Sequence, residues 1–96
     1  MPGIIFSEVA NKRGGALGRM RYYYFDLRYD DGPWSDDEDG VPFPDTEQAR
    51  AAALSLATAI TKEEARSHRK IQVRLRDHNS RPITTVTLSV TIEPPA

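Results

Sequence analysis

A chain of 96 residues carries one small domain with one core, and its 13 basic and 14 acidic side chains leave a net charge of −1. An apolar content of 39% beside 28% charged residues argues against wholesale disorder and against a polycation built to coat nucleic acid or membrane. The absence of cysteine excludes a disulfide framework, thiolate metal sites and cysteine nucleophiles, and it fits a reducing compartment.

Charge is spread unevenly: residues 1–21 carry +3, residues 22–47 carry −8 and residues 48–96 carry +4. A partner therefore meets a local field rather than the average. The opening apolar run, Ile4-Ile5-Phe6, is shorter than the roughly 7 to 15 residues of a signal peptide's apolar region, and no stretch reaches the roughly 20 of a membrane span. The expectation is a cytoplasmic protein that does not contact membrane. Residues 1–19, with Gly14, Gly15 and Gly18 and no sustained periodicity, read as a disordered arm, or as sequence lying ahead of a true start at Met20. Residues 20–93 form one compact domain and residues 94–96 a tail.

From residue 22 to residue 29 the chain alternates, with Tyr23, Phe25, Leu27 and Tyr29 on one face and Tyr22, Tyr24, Asp26 and Arg28 on the other. This predicts a strand with an apolar inner face. Asp30-Asp31-Gly32-Pro33 supplies a turn, with glycine free to take positive φ, and a short edge strand is expected over residues 34–37. Val41-Pro42-Phe43-Pro44 reads as an extended approach to the helix. Asp45 caps a helix starting at Thr46, with Gln48 placed to complete a capping box. The buried stripe is Ala49, Ala53, Leu56 and Ile60, flanked by Ala52, Ala57 and Leu54, and the helix runs about 30 Å to residues 66–68.

Residues 71–77 and 83–92 alternate as strands, joined through His78-Asn79-Ser80-Arg81-Pro82, with Val86, Leu88, Val90 and Ile92 on one face of the last strand. The fold class is therefore α+β, of order ββαββ: a four-stranded antiparallel sheet with one long helix packed on one face.

Tyr23-Tyr24-Phe25-Asp26, Asp39-Gly40, Pro44-Asp45 opening an alanine-rich helix, Val73, Arg76-Asp77 and Arg81-Pro82 together resemble a small bacterial family of domains of unknown function. The likeness spans Met20 to about Leu88. It implies a fold and a start near Met20, and it carries no catalytic residue. That family usually has glycine in the last hairpin turn, where Asn79-Ser80 stand here. Asp45-Thr46 leading an amphipathic helix is also similar to HicB-like antitoxin domains, although those place three strands before the helix and one after it.

Chemistry-bearing patterns are few. Asp36-Asp37-Glu38-Asp39-Gly40 has the acids and glycine of a cation loop, but aligned on a calcium-binding helix-loop-helix motif it puts Ser35 and Thr46 at key ligand positions. A solvated acidic loop feeding a helix N-terminus explains the same residues. His68 and His78 lack a third ligand at metal spacing and read as surface residues. Ser35, His78 and Asp77 lack a nucleophile elbow, and residues 14–18 lack the lysine and preceding strand of a phosphate loop. No cofactor, metal or catalytic residue is expected.

Tyr22, Tyr24, Arg28, Gln72, Arg74 and Arg76 fall on the sheet face away from the helix. Tyr22, Tyr24, Arg28, Arg74 and Arg76 are the candidate partner-binding residues. The favoured expectation is a non-catalytic interaction or regulatory module that uses this face or an edge strand to bind a protein partner or a second copy. The alternative is a nucleic-acid-binding sheet that stacks bases on its tyrosines, with Asp26 and the acidic loop opposing it.

Overall fold

The structure is a computed structural model describing residues 20–95. The expected N-terminal arm lies outside the described residues. The elements are β1 (Arg21–Tyr29), β2 (Val41–Phe43), α1 (Thr46–Glu64), β3 (Lys70–Arg76) and β4 (Pro82–Ser89). All neighbours pair antiparallel in the order β2-β1-β3-β4, which is the expected ββαββ arrangement.

The alternation in β1 and β3 governs burial. Tyr23, Phe25, Ile71, Val73 and Leu75 all lie inside, joined by Phe43 from β2. Ala49, Ala53 and Ala57 are fully buried at four-residue spacing on α1, with Ala52 beside them. Small side chains at these positions let the helix approach β3 and β4 closely. Leu56 packs against the core as expected, whereas the expected flank residue Leu54 is 53% exposed because it sits about 100° around the helix from Ala53.

Asp45 is the helix cap: its Oδ1 accepts from Gln48 N–H at 2.8 Å. The reciprocal half of the capping box does not form, and Gln48 Oε1 is buried without a hydrogen bond among the described residues. The Tyr23 hydroxyl and Thr46 Oγ1 share a hydrogen bond of 3.0 Å, which fixes the first turn of α1 to β1. The helix ends at Glu64, a few residues before the expected 66–68. Asp30 accounts for the end of this region: its Oδ2 accepts from His68 Nδ1–H at 2.8 Å and its Oδ1 from the backbone N–H groups of Arg69 and Lys70, drawing the chain into β3.

Four details differ from the sequence expectations. The second strand is Val41–Phe43, not residues 34–37; Ser35 makes only an isolated pairing with Leu27. Pro42 is tolerated because Arg21↔Phe43 and Tyr23↔Val41 flank the Tyr22↔Pro42 pair, so the proline nitrogen falls at a position that faces away from β1. In the first turn, Asp30 and Asp31 take positive φ (48° and 61°) while Gly32 does not, and Gly32 N–H closes the turn on Tyr29 O at 2.8 Å. In the last hairpin Ser80 takes the left-handed conformation (φ 63°), with Asp77 Oδ1 accepting from Asn79 and Arg81 N–H. Finally, β4 stops at Ser89, Val90 still bonds Arg69 O, and Ile92 is 64% exposed, so the last apolar position of the expected strand lies past the sheet.

Candidate functional site

The sheet face opposite α1 carries the candidate residues, and its centre is Asp26. On the middle strand pair Asp26 stands directly across from Arg74, and Arg76 lies on the diagonal, opposite Tyr24. Asp26 has no exposed surface. Its Oδ2 accepts from Arg74 Nε and Arg76 Nε, each at 2.8 Å, and its Oδ1 accepts from Arg76 Nη2 and from Asp37 N–H, each at 2.9 Å. Burial alone would push the Asp26 carboxyl up, but the bonds from Arg76, Asp37 N–H and Arg74 outweigh it and hold the pKa below the ordinary value. The same carboxylate, outweighing desolvation, raises the Arg76 pKa.

The segment between β1 and β2 closes over this pair of guanidiniums. The Asp37 carbonyl accepts from Arg76 Nη2 at 2.9 Å, and Asp36 Oδ1 accepts from Arg74 Nη2 at 3.3 Å. The Trp34 ring lies 4.2 Å from the Arg74 guanidinium and 5.3 Å from that of Arg28, while Arg76 sits 4.9 Å from the Tyr24 ring. Asp37 also repairs the sheet edge. Ser35 serves Leu27 and Val41 serves Tyr23, and between them Phe25 N–H is taken by Asp37 Oδ2 at 3.0 Å. Asp37 Oδ1 then accepts from Asp39 and Gly40 N–H, so this acid of the loop is spent on backbone donors. Among the described residues no group of three or more His, Asp and Glu side chains is arranged to hold a metal ion.

The expected open face is thus partly roofed by its own chain. Arg74, Arg76 and Tyr24 are brought together on it, but with their charges and ring faces engaged internally. Arg28 bonds Asp31 O at 3.2 Å and flanks Trp34. Tyr22, 51% exposed, is the candidate side chain with the most open surface, and Gln72 bonds Thr87 Oγ1. Sequence reasoning placed Asp26 on this face without seeing it as a hub, and it missed Trp34 and Asp37. The available signal was a lone acid in a strand facing arginines two residues apart. His68 is half-buried rather than a free surface group: it stacks on Tyr29 with ring centroids 4.5 Å apart.

Gly40 makes the roof possible. Its φ is +73°, and a Cβ there would come within 2.8 Å of Tyr24 Cε2 and 3.2 Å of Tyr23 O. Gly40→Ala is expected to cost about 1–3 kcal/mol in chemical denaturation, since strain and collision fall on one residue. An unchanged midpoint would show that the roof tolerates displacement.

No helix of the described residues is long and apolar enough to cross a membrane. No curated protein and no solved structure matches the chain. A family defined by sequence does match, over residues 22–89, from the start of the aromatic strand to the end of β4. On that coverage the chain belongs to the family described as a domain of unknown function, DUF6894.

Proposed function

We propose that this domain is a non-catalytic interaction module that takes an added strand along the free edge of β4. The observation that carries the reading is the contrast between the two surfaces a sheet can offer. On the outer face the guanidiniums of Arg74 and Arg76 already satisfy Asp26, and Trp34 and Asp37 lie over them. At the edge, β4 pairs with β3 alone among the described residues.

The register defines what that edge presents. Val90 N–H donates to Arg69 O at 2.8 Å, and Lys70↔Ser89, Gln72↔Thr87 and Arg74↔Thr85 are partners. In an antiparallel ladder hydrogen-bonded pairs alternate with non-bonded ones, so Val86 and Leu88 turn their backbone groups toward β3 while Thr85, Thr87 and Ser89 turn theirs outward. An extended partner segment reads such a row through main-chain bonds. The absence of cysteine is compatible with the reducing, cytoplasmic setting this reading takes.

Nucleic-acid binding through the outer face ranks second. The guanidiniums that would meet phosphates are already paired with a buried acid, and Asp36 stands beside Arg74 on the same face. The test is capture by the full chain from a cell extract, with and without nuclease and across a salt series, compared with Thr87→Pro. Proline at 87 removes an outward N–H and leaves the β3 ladder intact. Nuclease-resistant protein partners lost in Thr87→Pro support the edge reading. Binding lost on digestion, falling steeply with salt and unaffected at position 87, overturns it in favour of nucleic acid.

A further inference from the structure

From Pro82 to Ile92 the chain has no charged residue, and β4 occupies most of that run. Edge strands commonly carry lysine, inward charges or a bulge that discourages pairing. Here the bulge sits at Leu75/Arg76, by the hairpin end, leaving residues 84–89 in regular register. Val86 and Leu88 pack against the core yet remain only half-buried, so apolar surface continues to the rim of the sheet.

We propose that the occupant of this edge is a second copy of the chain, paired antiparallel about a twofold axis at Thr87; the inference rests on the edge reading above. The register follows from the outward-facing groups. Centred there, Thr87 meets Thr87 of the partner subunit and Thr85 meets Ser89 of the partner subunit as hydrogen-bonded pairs, which uses every outward N–H and C=O from 85 to 89 in both copies. Val86 meets Leu88 of the partner subunit in the intervening non-bonded pair, where side chains approach most closely, on the face that carries the helix. Hydroxyls pair with hydroxyls on the opposite face, and no like charges are brought together. A twofold contact needs a self-complementary patch, and an uncharged strand alternating threonine or serine with valine or leucine supplies one. The product is one continuous eight-stranded sheet.

The chain has no native cysteine, so a single introduced one reports the axis directly. Hydrogen-bonded antiparallel partners lie about 5.5 Å apart at Cα, within disulfide range. The full-length Thr87→Cys variant is expected to form a cross-linked dimer under mild oxidation; Thr85→Cys alone does not, and Thr85→Cys combined with Ser89→Cys does. Sedimentation of the unmodified chain is expected to show a reversible dimer, which Thr87→Pro weakens by at least roughly tenfold. A chain that stays monomeric and gives no cross-link at 87 overturns self-pairing. The module reading then stands if nuclease-resistant capture still depends on Thr87, and falls with it if it does not. A dimer indifferent to Thr87→Pro, or one cross-linked as readily from 85 alone, overturns the β4 register.

Discussion

Asp26→Ala is expected to lower stability by about 3 kcal/mol, a large part of the 5–15 kcal/mol typical of a whole domain. In a domain of this size the thermal midpoint falls by roughly 12 °C or more. The cost arises because two guanidiniums held on one buried carboxylate lose their counter-charge together, and Asp37 N–H loses its acceptor. Arg76→Met removes the bidentate partner but leaves Arg74 on Asp26, so it costs less. The double variant costs less than the two single ones added, since each already breaks the same network. Additive effects in a double-mutant cycle would show that the acid and Arg76 act separately.

The same group sets the acid limb of stability. Its folded pKa lies below its unfolded value of about 3.9, so its contribution is complete above that pH and is lost as pH falls through the folded pKa. Asp30, Asp31 and Asp77 are lowered in the same direction: Asp30 by its bond to His68 and backbone donors, Asp31 by Lys70, and Asp77 by Arg81 N–H. Urea midpoints are therefore expected to hold between pH 5 and 7, by the order of these values, and to drop below about pH 4. The Asp26→Ala profile starts lower and falls less steeply. Parallel profiles would remove Asp26 from the acid response.

The parts of the fold that were legible in the sequence are those encoded by local periodicity or by a single cap. Alternation in residues 22–29 and 71–77 marks two central strands, and Asp45 with the alanine spacing marks the helix. The second strand is harder to place, because an extended Val41-Pro42-Phe43-Pro44 reads the same whether it pairs or merely approaches the helix, and only the register shows that Pro42 turns its nitrogen away from β1. The Asp26 hub was hidden for a different reason. Asp26 and Arg74 are 48 residues apart, and only the register of β1 on β3 makes them neighbours. Tertiary pairing also converts Asp37 from one of a run of loop acids into the acceptor for Phe25 N–H. A charge run read as a solvated loop thus conceals a side chain that completes the sheet edge.

That edge exposes a second large expected effect, at Phe43. Strand β2 has three residues and pairs with β1 over Arg21, Tyr22 and Tyr23 alone, so backbone bonds contribute little to holding it. Phe43, 1% exposed, supplies the anchor: its ring meets Tyr23 and Phe25 edge-on, with centroids 6.3 and 6.0 Å apart. Phe43→Ala is expected to cost about 3–5 kcal/mol. Leu75→Ala, in the central strand β3, falls in the lower part of a similar range, about 2–5 kcal/mol. The two losses should differ in reach. Leu75 lies between two strands and beneath the helix layer, so its loss weakens the entire core and speeds amide exchange throughout. Phe43 fastens a short edge strand whose release also frees the Asp37 roof and Asp45, the helix cap. Hydrogen exchange in Phe43→Ala is therefore expected to rise first at Tyr23, Phe25 and Gln48, whose N–H groups face β2, Asp37 and Asp45, while amides between β3 and β4 stay protected. Uniform loss of protection in both variants would show that β2 folds and unfolds with the rest of the domain.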